Sequence, residues 1–230
     1  MIAVVFALGF EAKNFSKIAN TSDAMYCIHN VTGKLLADEV GHTIRKNNIQ
    51  CIVLLGFAGG LNTTLRVGDV ILAKNYTSPQ FLPHFEFMAG NCRPVHLRTV
   101  ERVIEARAEK ERCWQEWGAD CCDMESAHVW KVAQSLSIPM ITVRSISDAW
   151  DSDMPIPGNI LIDPRTSKPN TLRLLGYLMR HPQCLPEFLR MVRHASCAAK
   201  RLAAVAQREI IPIIKRAVAQ SIAISSTTKE

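Results

Sequence analysis

The chain has 230 residues, 48% of them hydrophobic and 21% charged, with a formal net charge of +6. These values are typical of a folded globular domain and exclude an intrinsically disordered chain. No apolar run approaches the ~20 residues of a membrane helix, and the opening run 2–8 is too short for a signal peptide. The eight cysteines lack CxxC spacing, so we expect reduced thiols in a cytoplasmic protein.

The hydrophobic pattern of the first half predicts alternating strands and helices. We expect them at residues 2–8 (strand), 11–19 (helix), 24–31 (strand), 33–47 (helix), 51–55 (strand) and 67–73 (turn and strand). The strand 51–55 breaks at the glycine-rich run 56–60, which we interpret as a turn. Small residues there would let the backbone approach a ligand and direct its N–H groups towards it.

The second half continues the alternation and then becomes helical. We expect elements at residues 101–117 (helix), 119–122 (strand), 126–136 (helix), 139–143 (strand), 171–180 (helix) and from 185 onwards (helix). The pattern predicts an α/β fold. A single three-layer domain, with a central mixed sheet flanked by helices, covers residues 1–164, and a helical extension covers residues 165–230.

The positive charge belongs to that extension. Residues 165–230 carry 12 Lys or Arg and 3 Asp or Glu, whereas residues 1–164 carry 15 and 18. We expect its helices to pack on the core, on a second subunit or on an anionic membrane surface. Nucleic acid fits less well, because few aromatic residues accompany the basic ones and no nucleic-acid motif is present.

Two acidic motifs end two of the predicted strands. Asp123-Met124-Glu125 follows one strand, and Asp148 closes the run 144–148 after another. The carboxyl ends of parallel strands meet at one edge of a sheet, so we expect Glu125 and Asp148 to lie there together. From the residues alone, a helix-dipole contact for Glu125 and a turn cap for Asp148 stay as alternatives.

Three blocks, in order, resemble the nucleoside phosphorylase/nucleosidase superfamily: residues 56–60 with 67–70, residues 123–127 and residues 144–148. A narrower similarity runs from Ser147 and Pro155 through 162–164, 180–182 and 185–186 to 198–202. This part of the sequence resembles the hopanoid-associated phosphorylase branch, whose members release adenine from adenosylhopane and leave a ribosyl or phosphoribosyl hopane. The resemblance also implies a homo-oligomer, whether dimer, trimer or hexamer.

The resemblance implies roles for individual residues. A purine leaves most easily when a poorly solvated carboxyl protonates it, and this role falls to Asp148. Glu125 and Met124 would contact the ribose, and Ala58 and Ser147 would line the purine pocket.

The nucleophile divides the superfamily into two reaction classes. Glu11 matches the residue that orients water in the hydrolases. Gly9 and Lys13 match the phosphate site of the phosphorylases, and backbone N–H groups of Gly59 and Gly60 would add to it. Phe57 and Ala58 stand where many phosphorylases carry Arg and Ser, so both classes stay open. Inorganic phosphate is a co-substrate only if the protein is a phosphorylase, and we expect no cofactor and no metal.

Several points stay open at this level. Arg144 would serve equally as an anion contact or in a structural ion pair. Aromatic candidates for contacting the 5′ group of the nucleoside are Phe57, Phe81, Phe85, Phe87 and Trp150. The alternatives to adenosylhopane cleavage are a methylthioadenosine/adenosylhomocysteine-type purine nucleosidase and a non-catalytic purine-nucleoside-binding protein.

Overall fold

The computed structural model describes residues 1–12, 14–15, 24–86, 91–163, 166 and 168–218, which form a mixed eight-stranded sheet with helices on both faces. The strands are β1 (Ile2–Phe6), β2 (Ala24–Ile28), β3 (Cys51–Gly60), β4 (Val70–Ala73), β5 (Arg93–Val95), β6 (Leu97–Thr99), β7 (Cys121–Asp123) and β8 (Met140–Asp148), with a separate small hairpin of β9 (Ile162–Asp163) and β10 (Lys168–Pro169).

The helices lie between and after these strands. They are α1 (Gly33–Lys46), α2 (Leu82–Glu86), α3 (Arg107–Trp117), α4 (Ser126–Ser135), α5 (Gly158–Leu161), α6 (Thr171–Arg180) and α7 (Leu185–Val205). A π-helical turn at Ala206–Ile210 continues α7, and helix resumes over 211–218. Short 3₁₀ turns occupy Lys74–Tyr76, Pro79–Phe81 and Pro182–Cys184.

The centre of the sheet is parallel. Strands β2, β1, β3 and β8 lie side by side in parallel, so β1, β3 and β8 end at the same edge. Beyond them β4 runs antiparallel to β8, while β7 pairs antiparallel with the last residues of β3. Strands β7 and β8 therefore flank the end of β3 from opposite sides. Because β7 runs antiparallel to β3, the residues after β7 return towards the middle of β3, whereas those after β8 continue past Gly60.

The central strands are apolar because helices cover both faces of the sheet. Every residue of β1 is buried. Helices α1 and α4 pack on one face through Leu36, Val40 and Val129. The end of α7 packs on the other face through Leu202, and Ile210 follows in the same core. The predicted α/β fold class, with its mixed sheet and C-terminal helical part, is confirmed.

Three local predictions differ from the structure. Helix α3 begins at Arg107 rather than at residue 101, and residues 101–106 are irregular. The glycine-rich run 56–60 is not a turn, because β3 continues through Gly60 and pairs with both β7 and β8. Glu11, Ala12 and Phe15 lie in turns rather than in the expected helix. The turn at Glu11 is fixed by its own carboxylate, which accepts a hydrogen bond from the backbone N–H of Leu8 (3.0 Å).

The C-terminal helices behave in two ways. Helix α7 contacts β8, β3 and β4, and its alanines Ala198, Ala199 and Ala203 are buried, which lets the helix approach the sheet closely. Helix α6 packs on α5 but presents large apolar side chains to solvent. Within the described residues, no helix is both long and apolar enough to cross a membrane. The domain boundary at residue 164 stays a prediction.

Candidate active site

Glu11 is held over the middle of β3. It follows β1, which ends level with Leu55, so the turn containing Glu11 lies above the next residues of β3. Its Oε1 accepts a hydrogen bond from the backbone N–H of Phe57 (3.0 Å), and its Oε2 accepts the one from Leu8. Glu11 is buried. Both carboxylate oxygens are thus oriented by backbone groups, which fixes the side chain without neutralising its charge.

Arg144 is the buried cation at the centre of the site. It lies in β8 opposite Gly56, and its side chain is 0% exposed. Its Nη2 lies 2.6 Å from Asp123 Oδ2 and 3.6 Å from Glu125 Oε2, and Glu11 also interacts with its charge. One guanidinium therefore faces three buried carboxylates, a charge balance that favours proton binding by the carboxylates.

Asp123 organises the turn between β7 and α4. Its carboxylate accepts hydrogen bonds from the backbone N–H and the hydroxyl of Ser126, and from the hydroxyl of Thr99 (2.8 Å). The first of these satisfies a free N–H at the start of α4. Arg144 is its fourth contact. All of these partners of Asp123 belong to the protein itself, as expected of a residue that shapes the turn.

Glu125 points away from its own helix. It is the N-cap residue of α4, but its side chain makes no capping hydrogen bond there. Instead its Oε1 accepts a hydrogen bond from the backbone N–H of Gly33 at the start of α1 (3.4 Å), and its Oε2 faces Arg144. Stabilisation of α4 by charge is therefore not the main use of this side chain, which is held in the cluster around Arg144.

Burial changes the acid–base behaviour of this cluster. Burial raises the pKa of Glu11, although Arg144 and the backbone N–H groups of Leu8 and Phe57 oppose the shift. Burial likewise raises the pKa of Glu125 to about 8, against the attraction of Arg144. Burial lowers the pKa of Arg144, but Asp123, Glu125 and Glu11 outweigh this, so its pKa is raised. A carboxyl whose pKa moves towards neutrality is suited to proton transfer.

The glycines of β3 make room for the charged side chains. A Cβ atom at Gly56 would lie 2.1 Å from Arg144 Nη1 and 2.8 Å from Glu11 Oε1. A Cβ atom at Gly59 would lie 3.2 Å from Asp148 Oδ2. Strand β3 therefore has no side chain at the two positions where Arg144 and Asp148 cross it. Close approach was expected at these glycines, but the observed approach is to side chains of the same chain.

Asp148 ends β8 opposite Gly59 and is held through both carboxylate oxygens. Its Oδ2 lies 2.6 Å from Lys110 Nζ, and its Oδ1 accepts a hydrogen bond from the hydroxyl of Ser147 (2.9 Å). Lys110 is 1% exposed and also donates to the carbonyls of Ala149 (2.9 Å) and Ser152 (3.2 Å). All three ammonium protons have acceptors, so Lys110 fixes both the carboxylate and the chain that follows it.

The remaining predicted site residues are placed as follows. Met124 is half-buried beside Glu125. Gly9 is exposed, and its backbone N–H donates to Asn30 Oδ1 (3.0 Å), so this N–H already has a hydrogen-bond acceptor. Ala58 packs in the core with Ile146, and Gly60 is a buried strand residue. Lys13 lies outside the described residues.

The aromatic candidates for the 5′ group divide in the same way. Phe81 and Phe85 are buried in the core that also contains Leu202 of α7. Phe57 is half-buried and meets Phe10 edge to face, with ring centroids 6.3 Å apart. Trp150 lies under the guanidinium of Arg107, 4.8 Å from its ring centroid. Phe87 lies outside the described residues. Phe10 and Phe57 thus form an apolar surface beside Glu11.

Two contributors were not assigned by the sequence. Lys110 sits on the charged helix α3, where Glu111 and Arg112 are exposed, and no local pattern marks it as buried. For Arg144 the sequence left both an anion contact and a structural ion pair open. In the structure Arg144 lies at the centre of a buried ion-pair cluster with Asp123 and Glu125. Its Nη1 and Nε have no hydrogen-bond partner among the described residues.

Comparison with known proteins agrees with this geometry. A sequence model of the Phosphorylase superfamily matches residues 95–156, the segment that holds Lys110, Glu125, Arg144 and Asp148. None of the curated proteins compared matches the sequence.

Solved structures match over nearly the whole chain. Futalosine hydrolase of Helicobacter pylori superposes with a TM-score of 0.60 at 15% identity, covering 90% of this chain and 97% of its own. The 5′-methylthioadenosine/S-adenosylhomocysteine nucleosidase of H. pylori gives 0.61 at 16% identity, covering 90% and 97%. The Campylobacter jejuni nucleosidase of that name gives 0.56 at 16% identity, covering 90% and 98%. The predicted fold is confirmed, the match of residues 95–156 agrees with the predicted superfamily, and the hopanoid-associated branch stays a prediction.

Proposed function

We propose, from the Phosphorylase superfamily match and the shared nucleosidase fold, that this protein cleaves the N-glycosidic bond of an adenine nucleoside. The observation that carries the proposal is the buried cluster of Glu11, Glu125 and Arg144 beside Asp148, at the edge where β1, β3 and β8 end. Glu11 contacts β3 at Phe57 and Asp148 lies opposite Gly59, two residues further on, which is about 7 Å along a strand and within the length of a nucleoside.

The roles follow from the chemistry of the bond. Asp148 takes up a proton from solvent and gives it to the purine as the bond between the sugar carbon and the base nitrogen breaks, and the bonding electrons leave with the base. Glu125 accepts hydrogen bonds from ribose hydroxyls and so fixes the sugar beside Met124. Glu11 takes a proton from water as the water oxygen bonds to the sugar carbon. After the transfer Asp148 is an anion, and Lys110 stabilises it as a positioning residue.

Water is the proposed nucleophile, and the charge balance supports this choice over phosphate. Arg144 already faces Glu11, Asp123 and Glu125, and Lys110 is held by Asp148. A phosphate dianion would enter a region where buried carboxylates outnumber cations, which costs free energy. Within the described part of the site, the backbone N–H of Gly9 is also occupied. Phosphorolysis with inorganic phosphate as co-substrate is the competing reaction.

For the substrate we propose an adenosine with a bulky, lipid-like 5′ group, namely adenosylhopane in hopanoid synthesis. The resemblance of the residues from Ser147 to 202 to the hopanoid-associated branch supports this substrate. The exposed apolar surface of Phe10 and Phe57 beside Glu11 fits such a group as well. We further propose a cytoplasmic homo-oligomer that contacts the membrane peripherally through its C-terminal helices.

A second candidate is a nucleosidase for a small soluble substrate. It is favoured by the solved structures, since a mutant of the H. pylori nucleosidase holds 5′-methylthioadenosine in its active site and has the same fold. A non-catalytic purine-binding protein fits less well, because a buried carboxyl such as Glu125 lowers the stability of the fold and is not needed to bind a purine base.

The experiment measures adenine release from three substrates: methylthioadenosine, adenosylhomocysteine and a long-chain 5′-alkyl adenosine. Each is assayed with and without phosphate. We expect release without phosphate and a higher kcat/KM for the long-chain compound. A preference for the two small substrates would support the second candidate, and tight adenine binding without release from any substrate would support the non-catalytic protein.

A further inference from the structure

Helix α6 turns an apolar face towards solvent. Leu172, Leu175 and Met179 follow helical spacing along one side, and they are 83%, 57% and 71% exposed. The opposite side of α6, including Leu174 and Leu178, is half-buried and packs on α5. A helix that is apolar on both its inner and its outer side has a second partner besides its own domain.

The outer face continues onto the start of α7. Leu185 and Leu189, four residues apart, are also exposed, and the turn Pro182–Cys184 joins the two helices. We refer to these five apolar side chains of α6 and α7 as the hairpin face. Over residues 171–193 the sequence carries four arginines and one glutamate. That glutamate, Glu187, is already paired with Arg190.

We propose that the hairpin face docks on an anionic lipid bilayer. Apolar side chains flanked by arginines match the two layers of such a surface, with acyl chains inside and negative headgroups outside. Arg173, Arg180 and Arg193 are exposed beside the apolar face and can reach headgroups. At 10 residues α6 is far too short to span a bilayer, so it lies in the plane of the interface.

A second copy of the chain fits this surface less well. A two-fold contact brings the same patch of both copies together. The arginines of one copy would then lie against those of the other, with only Glu187 to offset them. An anionic bilayer offers the opposite charge along the whole face, so charge complementarity selects it as the occupant.

The hairpin face also lies close to the candidate active site. A cavity of about 470 Å³ lies between the start of α7 and the chain after β8, and Ala149, next to Asp148, is among its lining residues together with Glu187, Arg190 and His194. Its lining combines charged side chains, such as Asp151 and Arg190, with apolar ones such as Met154, and so suits the nucleoside part of an amphiphile better than a bare hydrocarbon chain. Docking would leave the hydrocarbon in the bilayer. This use of the surface rests on the proposed lipid-like substrate, whereas docking itself does not.

The test is cosedimentation of the full chain with vesicles, without substrate. The vesicles are phosphatidylglycerol with phosphatidylcholine, or phosphatidylcholine alone. We expect binding to the anionic vesicles that weakens in high salt, and little binding to the neutral ones. The double variant Leu172→Ser/Met179→Ser should lose about tenfold or more in partitioning. Leu35→Ser, which changes a 43% exposed leucine on α1, is the matched control and should bind like the wild type.

Three results would overturn the proposal. One is a wild-type protein that stays in the supernatant with anionic vesicles. Another is a double variant that binds as well as the wild type. The third is a double variant that changes oligomeric state on size exclusion, which would make the hairpin face a subunit interface. Adenine release from a soluble nucleoside, measured in parallel, tests the proposed function separately and should be the same in the double variant and the wild type.

Discussion

Replacing Glu125 with Gln should make the protein less sensitive to alkaline pH while removing a proposed ribose contact. Burial raises the pKa of Glu125 from its ordinary value of 4.5 to about 8 in the folded protein. The raised pKa means that the folded state binds the proton more tightly than the unfolded state. The stabilising effect of that proton is therefore complete below pH 4.5 and is lost as the pH rises through about 8.

The size of the effect follows from the same shift. Each pH unit between these values costs about 1.4 kcal/mol, so the loss from pH 5 to pH 8 is on the order of 4 kcal/mol. Glutamine cannot titrate, so Glu125→Gln should gain stability relative to the wild type by roughly this amount over the same interval. Adenine release should fall most above about pH 8, where Glu125 is a carboxylate, because the amide is a weaker acceptor for ribose hydroxyls.

The assay is urea unfolding of the wild type and the variant at pH 5, 6.5 and 8. Glu111→Gln, an exposed position on α3, controls for the loss of a negative charge and should show no pH-dependent gain. If the unfolding free energies of wild type and Glu125→Gln change in parallel with pH, Glu125 is not a buried proton-binding carboxyl and the description of the cluster is wrong.

Three further substitutions test the arrangement around β3 and Asp148. Gly56→Ala should destabilise the fold by about 1–3 kcal/mol, because the added methyl group displaces Arg144. Gly176→Ala on α6 is the control and should be neutral or stabilising, and urea unfolding measures both variants. Lys110→Met should lower kcat for adenine release about tenfold to a hundredfold with little change in KM, and Lys110→Arg should restore part of it; steady-state kinetics measures this. Ser147→Ala should have a smaller effect than Lys110→Met in the same assay, and the reverse order would contradict the assigned contacts.

Much of the site could be predicted because parallel strands bring distant parts of the chain to one edge. Glu11 lies more than 100 residues before Glu125 and Asp148 in the sequence. Each of the three nevertheless follows or ends a strand that the hydrophobic pattern predicted. The apolar runs predicted the strands, and the rule for parallel sheets predicted the shared edge for Glu11 and Asp148. The rule does not account for Glu125, because β7 runs antiparallel to β3. The resemblance added distinct roles to these carboxyls.

The contacts between side chains could not be predicted in the same way. The glycines of 56–60 suggested a phosphate-binding turn, because sequence alone does not reveal that β7 and β8 pair with this segment and extend β3. Only that pairing places Arg144 over Gly56 and Asp148 over Gly59. Lys110 reaches Asp148 from 38 residues away in sequence, and an isolated lysine on a charged helix is ordinarily exposed.

The C-terminal helices illustrate a different limit. Apolar spacing predicted helices α6 and α7, but it does not distinguish a face buried by the same chain from a face left open. The structure buries Leu202 under the sheet and leaves Leu172 in solvent, although both lie on amphipathic helices of similar composition. The difference arises from which helix lies over the sheet, and this depends on the whole topology.

The most direct test of the central claim is adenine release in phosphate-free buffer prepared with ¹⁸O-labelled water. A hydrolase that uses Glu11 as base and Asp148 as acid places one labelled oxygen on the sugar carbon for each adenine released. Asp148→Asn should lower the rate by about 10²–10⁴-fold. Release that requires phosphate, with no label in the sugar, would show that water is not the nucleophile. An Asp148→Asn variant as fast as the wild type would contradict the assignment of the acid.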